Sequence, residues 1–225
     1  MSAQPSQPGR SQDFYALRQI DEIASRWDAR ADSWDQSLED DTCHLNEDDA
    51  YRRFLRAVRR LVARRQPFCH ANGVIDAGCG TGVVMARVAS DFAWGMGVDI
   101  SPEMIRAACA KNLANASFLV GDAFQLPSLC PPAGAVLSRG VLLSHYGREQ
   151  GVALLKAARA ALVPGGFVVF DFLNAAARAQ YCHAPENKTW YTAREIQVLA
   201  QQAGFAAAAT LGRAQRRALL LLAET

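Results

Sequence analysis

Residues 74–83 read Val-Ile-Asp-Ala-Gly-Cys-Gly-Thr-Gly-Val, a β-branched run that gives way to three alternate glycines. A strand that breaks into glycines just before a helix lets the backbone pass close to a ligand, with helix amides available to a negative group. The sequence around it keeps the same rhythm. Strands are expected at Gly73 to Ala77, Trp94 to Asp99, Ser117 to Val120, Ala135 to Ser138 and Phe167 to Phe172. Helices are expected at Val83 to Ser90, Pro102 to Asn112 and about Arg148 to Leu162, and the Pro164-Gly165-Gly166 break opens the last of those strands. Strands separated by helices of this length imply βαβ crossovers and a parallel sheet, so the fold class is α/β, doubly wound. Beyond it, Ala193 to Ala203 reads as a helix closed by Gly204, and Phe205 to Leu211 and Arg217 to Glu224 as two strands. The link between those strands is too short for a crossover, so they should pair antiparallel.

The remaining sequence decorates this unit. Phe14 to Trp34 carries apolar residues at helical spacing, and Tyr51 to Arg65 places Phe54, Leu55, Val58, Leu61 and Val62 on one face of a second helix. Residues 35–49 hold seven acidic side chains and the second helix seven arginines. Asn46 suits an N-cap there, and Asp48–Arg52 and Asp49–Arg53 suit i,i+4 ion pairs, so the arginines read as a solvated face. With 225 residues the chain suits one domain, divided into a disordered tail (1–12), a helical N-terminal cap (13–70) and the α/β domain (71–225). The 24 Lys and Arg nearly cancel the 22 Asp and Glu, so charge gives no strong reason to expect nucleic acid or an anionic membrane. Six cysteines without a C-x-x-C pair read as free thiols, with no metal site. The polar first dozen residues do not resemble a signal peptide and no apolar run approaches the ~18 residues of a span, so a cytoplasmic location is expected.

Acidic residues narrow the ligand. A dinucleotide loop requires G-x-G-x-x-G, and here Val83 stands at the third glycine position. Asp76, just before the glycines, would repel a pyrophosphate and attract an ammonium or sulfonium group. Asp99 ends the second strand, where a carboxylate can accept two hydrogen bonds from a ribose diol. Asp122, after the third strand, could accept from an exocyclic adenine amine. A ligand with an amino acid end, a ribose and an adenine fits that row.

Asp76-Ala-Gly-Cys-Gly-Thr-Gly82, Gly97-Val-Asp-Ile-Ser101, Gly121-Asp-Ala123 and Leu162-Val-Pro-Gly-Gly166, in this order and spacing, resemble the class I S-adenosylmethionine-dependent methyltransferases. The resemblance covers about residues 70–225. It implies a seven-stranded sheet of order 3-2-1-4-5-7-6 with the seventh strand antiparallel. It also implies that Gly78, Gly80 and Gly82 border the methionine moiety, Asp99 the ribose and Asp122 the adenine amine. Ile100 and Ala123 would flank the adenine ring, with Met104 a neighbour from the following helix. S-adenosylmethionine would be the methyl donor and S-adenosylhomocysteine the product.

In such enzymes the sulfonium is already activated, so alignment of the nucleophile supplies most of the acceleration and a base is optional. By resemblance, the segment leaving the fourth strand meets donor and acceptor, with Ser138 and Arg139 nearest the donor and His145 and Tyr146 farther out. His145 is the candidate base because imidazole titrates near neutrality, a packed loop histidine being the other reading. Arg139 could hold an acceptor carboxylate or phosphate, or else pair with a nearby acid. Asp171 and Asn174 end the fifth strand at the same rim, and the segment from Arg178 to Thr192 follows with Tyr181, His183, Trp190 and Tyr191. Trp190 and Tyr191 suit an acceptor pocket or packing ahead of the helix; Trp27 and Trp34 resemble an N-terminal element that folds over the donor. The expected activity is methyl transfer to a small-molecule acceptor, through an O, N, S or C nucleophile. The alternatives are an RNA or protein methyltransferase and a non-catalytic binder of S-adenosylmethionine, with a nicotinamide oxidoreductase a poorer reading. Nucleic acid and membrane are not expected partners, and oligomeric state stays open.

Overall fold

A computed structural model describes residues 21–33, 50–140, 142–180 and 188–223. Val74–Ala77 forms β1, buried at all four residues, as a strand covered on both faces must be. Gly95–Asp99 (β2), Ala116–Val120 (β3), Ala133–Ser138 (β4) and Leu162–Leu173 (β5) run parallel to it. Ala207–Leu211 (β6) and Arg217–Ala223 (β7) form the expected hairpin, and β7 is also antiparallel to β5. The order is β3-β2-β1-β4-β5-β7-β6, as the resemblance implies. Ala50–Arg64 (α1) and Gln66–Ala71 (α2) lead into the sheet. The others are Met85–Val88 (α3), Pro102–Cys109 (α4), Leu126–Leu129 (α5), Arg148–Ala160 (α6) and Ala193–Gln202 (α7).

Alternation along the central strands divides the core between the two faces of the sheet. Ile75, Val136, Val168 and Phe170 point to the side covered by Leu154 of α6 and Ile196 of α7. Val74, Ala135, Leu137 and Val169 point to the other, where Phe54 and Val58 of α1 and Met85 of α3 are buried. This period of two, with helices on each face, is the doubly wound arrangement.

Several boundaries differ from the sequence expectation. The Pro-Gly-Gly break does not begin a new strand. β5 runs through it, and a register shift between Ala133 and Ala135 lets β4 pair with Leu162 before the break and Phe167 after it. Gly165 supplies the required turn at φ 77°. The helix expected from Val83 is a turn followed by four α-helical residues and a 3₁₀ turn at Ala89–Asp91. The helix after β2 stops at Cys109, and Asn112 turns the chain at φ 49°. α7 begins on a capping box, Thr192 with Glu195, and Gly204 follows its end at φ 93°. N-terminal to α1, residues 21–28 are helical and turn at 29–30. Asn46, Asp48, Asp49, Trp34, Tyr181 and His183 lie outside the described residues. Among the described residues, no helix is long and apolar enough to cross a membrane, and no cluster of His, Cys, Asp or Glu could hold a metal ion.

Candidate active site

Where β1 ends, Gly78, Gly80 and Gly82 all take left-handed backbone conformations, with φ of 68°, 52° and 77°. Only glycine enters that region three times in five residues without strain. The loop is tied to β2: the amides of Gly78 and Cys79 both donate to the Val98 carbonyl, at 2.8 and 3.1 Å. The Gly80 amide donates to Asp99 Oδ2 at 2.8 Å, and Ser101 N donates to Oδ1 at 3.0 Å. Asp99 therefore organises the loop by accepting from backbone amides on both oxygens, and a carboxylate's remaining acceptor capacity is left for a ligand. Close approach is also required at Gly82, where a Cβ would stand 2.8 Å from the Phe118 ring of β3.

Asp76 is 1% exposed, and its Oδ2 has no hydrogen-bond partner. Burial, and then the neighbouring Asp99 carboxylate, push its pKa up to about 7, against the pull of Arg139. Burial also raises Asp99, opposed by its backbone hydrogen bonds. Asp122 Oδ1 accepts from Phe124 N at 3.0 Å and starts the 3₁₀ turn Ala123–Gln125, with Ala123 buried. Successive parallel strands β1, β2 and β3 thus bring Asp76, Asp99 and Asp122 to one edge of the sheet. Ile100, next to Asp99, is partly exposed, whereas Met104 is buried and its amide donates to Ser101 Oγ.

The β4 side is arranged differently. Ser138 Oγ donates to the Ala77 carbonyl at 2.7 Å, so this hydroxyl joins β4 to the end of β1. Asp171 is buried and its Oδ1 accepts from Gly140 N at 3.0 Å, with Arg217 Nη1 at 3.9 Å from Oδ2. It holds the loop after β4 in place. Among the described residues, no atom outside the immediate chain lies within 4 Å of where a Gly140 Cβ would sit. Arg139 lies over the Tyr51 ring at 5.2 Å, and its Nε has no hydrogen-bond partner. Burial, and then Arg217, lower its pKa to about 10.

His145 Nδ1 lies 2.8 Å from Lys188 Nζ, and the Trp27 ring stands 5.8 Å from the imidazole. Burial, followed by the positive charge of Lys188, lowers the histidine to about 4. This corrects the sequence-derived motive for a base: the ring is neutral near pH 7 and too weakly basic to collect a proton there. Tyr146 packs edge-on against Phe124 at 4.9 Å, and burial with Asp122 and Asp99 pushes its phenol up to about 12.

Trp190 and Tyr191 follow the packing alternative. Tyr191 is wholly buried, with its ring edge-on to Phe172 and its hydroxyl 3.4 Å from the carbonyls of Leu143 and Tyr146. Trp190 packs with Leu173 and Ala175, under the guanidinium of Arg178. An isolated parallel bridge, Asn174 to Tyr191, draws this stretch against the end of β5 and into the core.

Three contributors were missed from sequence. Tyr51, on α1, donates to the Val83 carbonyl at 3.1 Å and so braces the glycine loop. Asp28 Oδ1 accepts from Ser101 Oγ at 2.5 Å and from Glu103 N at 3.1 Å, fastening residues 21–33 to the start of α4. Lys188 faces His145. The only early signal was the helical spacing around Trp27 and Tyr51.

With Asp76 unpaired beside an acidic, glycine-lined edge, the site can receive a cationic group together with hydrogen-bond donors. A family described as "methyltransferase domain" matches residues 74–166, the stretch from β1 into β5. Residues 74–166 thus match a methyltransferase domain, and the sheet has the fold of S-adenosylmethionine-dependent methyltransferases. The chain is similar to the ubiquinone biosynthesis O-methyltransferase of Paraburkholderia xenovorans (strain LB400), 25% identical over 165 residues. That match takes in 72% of this chain and 64% of the relative, so the chain spans less than two thirds of the relative's length. Among solved structures, an S-adenosylmethionine-dependent methyltransferase from Clostridium acetobutylicum ATCC 824 has the same fold at TM-score 0.69 and 13% identity, over 85% of this chain and 98% of that one. The magnesium protoporphyrin IX methyltransferase of Synechocystis PCC 6803, solved with bound S-adenosylhomocysteine, has TM-score 0.59 and 20% identity, over 76% and 83%.

Proposed function

We propose that this methyltransferase transfers a methyl group from S-adenosylmethionine to a small-molecule acceptor. The observation that carries the reading is the unpaired, buried Oδ2 of Asp76 beside the Asp99 carboxylate, on a loop of three left-handed glycines. An uncompensated carboxylate in such a place costs free energy that a cationic ligand offsets. Asp99 would hold the ribose diol through its unused lone pairs, Asp122 would accept from the adenine amine, and Ile100 would flank the ring. When bound, the donor supplies a methyl on a sulfonium, ready for in-line displacement by a nucleophile.

The chain's own residues then orient and exclude water. Asp171 and Ser138 position the β4 loop, Tyr51 braces the glycine turn, and the Phe124–Tyr146 pair closes the acidic side. With Lys188 charged and donating to Nδ1, the remaining ring proton of His145 sits on Nε2 and is given to the Gly140 backbone, so this side chain steadies the loop after β4. A small acceptor is supported by the names of relatives, a ubiquinone biosynthesis O-methyltransferase and a magnesium protoporphyrin IX methyltransferase, and by the near balance of charge.

The test is transfer of label. Purified protein given methyl-labelled S-adenosylmethionine and a fractionated small-molecule extract is expected to place label in a low-mass product and to release S-adenosylhomocysteine in equal amount. Label confined to RNA or protein would overturn the small-molecule acceptor, and no product from any fraction would favour a non-catalytic binder.

A further inference from the structure

The segment 21–33 joins two exits of the sheet. Asp28 is bonded to Ser101 and Glu103, just after β2, while its neighbour Trp27 lies against His145, just after β4. Between those strands in the sheet is β1, so the segment crosses over the mouth where the glycine loop begins. Its charges are sorted. Asp28 and Asp32 face α4, Asp32 pairing with Arg106 at 3.1 Å. Arg26 and Arg30 instead act as neighbouring positive charges on Lys188, and Arg30 also lies over the Trp27 ring at 5.5 Å. Lys188, half-buried, has the His145 ring as its hydrogen-bond partner and no carboxylate partner among the described residues.

Lys188 on the His145 ring and Arg30 on the Trp27 ring, with the charge of Arg26 felt at both Lys188 and His145, thus set positive charge around one Trp–His pair on the β4 side of the mouth, opposite the acids of β1, β2 and β3. Burial, and then the charges of Arg26 and Arg30, lower Lys188 to about 8. An anion placed among them would relieve that repulsion, and a Lys or Arg hydrogen bond to a carboxylate or phosphate is of the stronger, charge-assisted kind.

We propose that the acceptor is an anionic small molecule, its carboxylate or phosphate held by Lys188, Arg26 and Arg30 and its apolar part against Trp27. This deepens the methyltransferase reading, on which it rests, by assigning the acceptor a charge.

Calorimetry on the protein saturated with S-adenosylhomocysteine tests it with matched probes: benzoate against benzamide, cinnamate against cinnamamide, and phenyl phosphate against phenol. The acids are expected to bind at least ~10-fold more tightly than their neutral partners. Lys188→Met and the double variant Arg26→Gln, Arg30→Gln should remove that preference, and Lys188→Arg should keep most of it. Equal binding of acids and neutral partners, no binding by any acid, a preference that survives in both charge-removing variants, or tighter competition by bulk tRNA than by the small acids would overturn the proposal. Saturation with S-adenosylhomocysteine is measured first: its failure would count against the methyltransferase reading itself, whereas its success without an anion preference would count against the anionic acceptor alone.

Discussion

At Asp76 the carboxylate has almost no exposure and no donor on Oδ2. Its folded-state pKa of about 7 stands above the ordinary value of 3.8, so the native protein holds this proton more tightly than the unfolded chain. The stability due to the group is fully present below pH ~4, falls as the pH rises and is lost by pH ~7. Asp76→Asn is neutral throughout. Urea unfolding of the ligand-free protein should therefore show the variant gaining on wild type between pH 5 and pH 8, by on the order of 1–3 kcal/mol. The same variant should bind S-adenosylmethionine more weakly, because it has lost the charge that attracts a cation. A gain that is the same at both pH values would contradict the assigned titration. The strand-end acids were legible in sequence because each follows a short apolar run and so must emerge at the same edge of a parallel sheet. Lys188 was not, since its character depends on Arg26 and Arg30, more than 150 residues away in sequence. For His145 the residue type suggested a base, but burial and the lysine decided its basicity.

Among elements, the strands and the terminal hairpin follow from local patterning, while breaks and aromatic pairs depend on packing that patterning does not encode. Pro164-Gly165-Gly166 has the composition of a turn, yet β4 lies alongside and a register shift absorbs the irregularity within one strand. Trp190 and Tyr191 have the composition of a binding surface, yet the bridge from Tyr191 to Asn174 seals them into the core. The segment 21–33 was read from sequence as part of an amphipathic helix and, by resemblance, as an element over the donor; its position depends on Asp28 at the N-terminus of α4, where a carboxylate is favoured by the exposed amides. Asp28→Ala should cost roughly 1 kcal/mol of that docking. Limited trypsin digestion should then cleave at Arg26 and Arg30 several-fold faster than in wild type, with the melting of the α/β core little changed. Unchanged cleavage would mean that other contacts hold the segment.

For the molecule as a whole, a near-neutral net charge of +2 conceals a division across one mouth. Asp76, Asp99 and Asp122 collect at the ends of β1, β2 and β3, and the cations Arg139, Lys188, Arg26 and Arg30 collect toward β4. Sheet order makes this possible, because β1 and β4 are neighbours although some 55 residues separate them in sequence. That order was implied by resemblance to a family and not by the pattern of strands alone, which is compatible with several arrangements. The acidic half suits a donor with a positive centre; the cationic half suits an acceptor of opposite sign.

The central claim, that the acidic edge binds the donor, is tested most directly by calorimetric titration of wild type, Asp99→Ala and Asp99→Asn with S-adenosylhomocysteine, circular dichroism verifying that each remains folded. Wild type should bind one equivalent saturably, and Asp99→Ala should bind at least ~100-fold more weakly through loss of two charge-assisted hydrogen bonds and of the Gly80 anchor, with Asp99→Asn in between. No binding by wild type, or the same affinity in all three folded proteins, would contradict it.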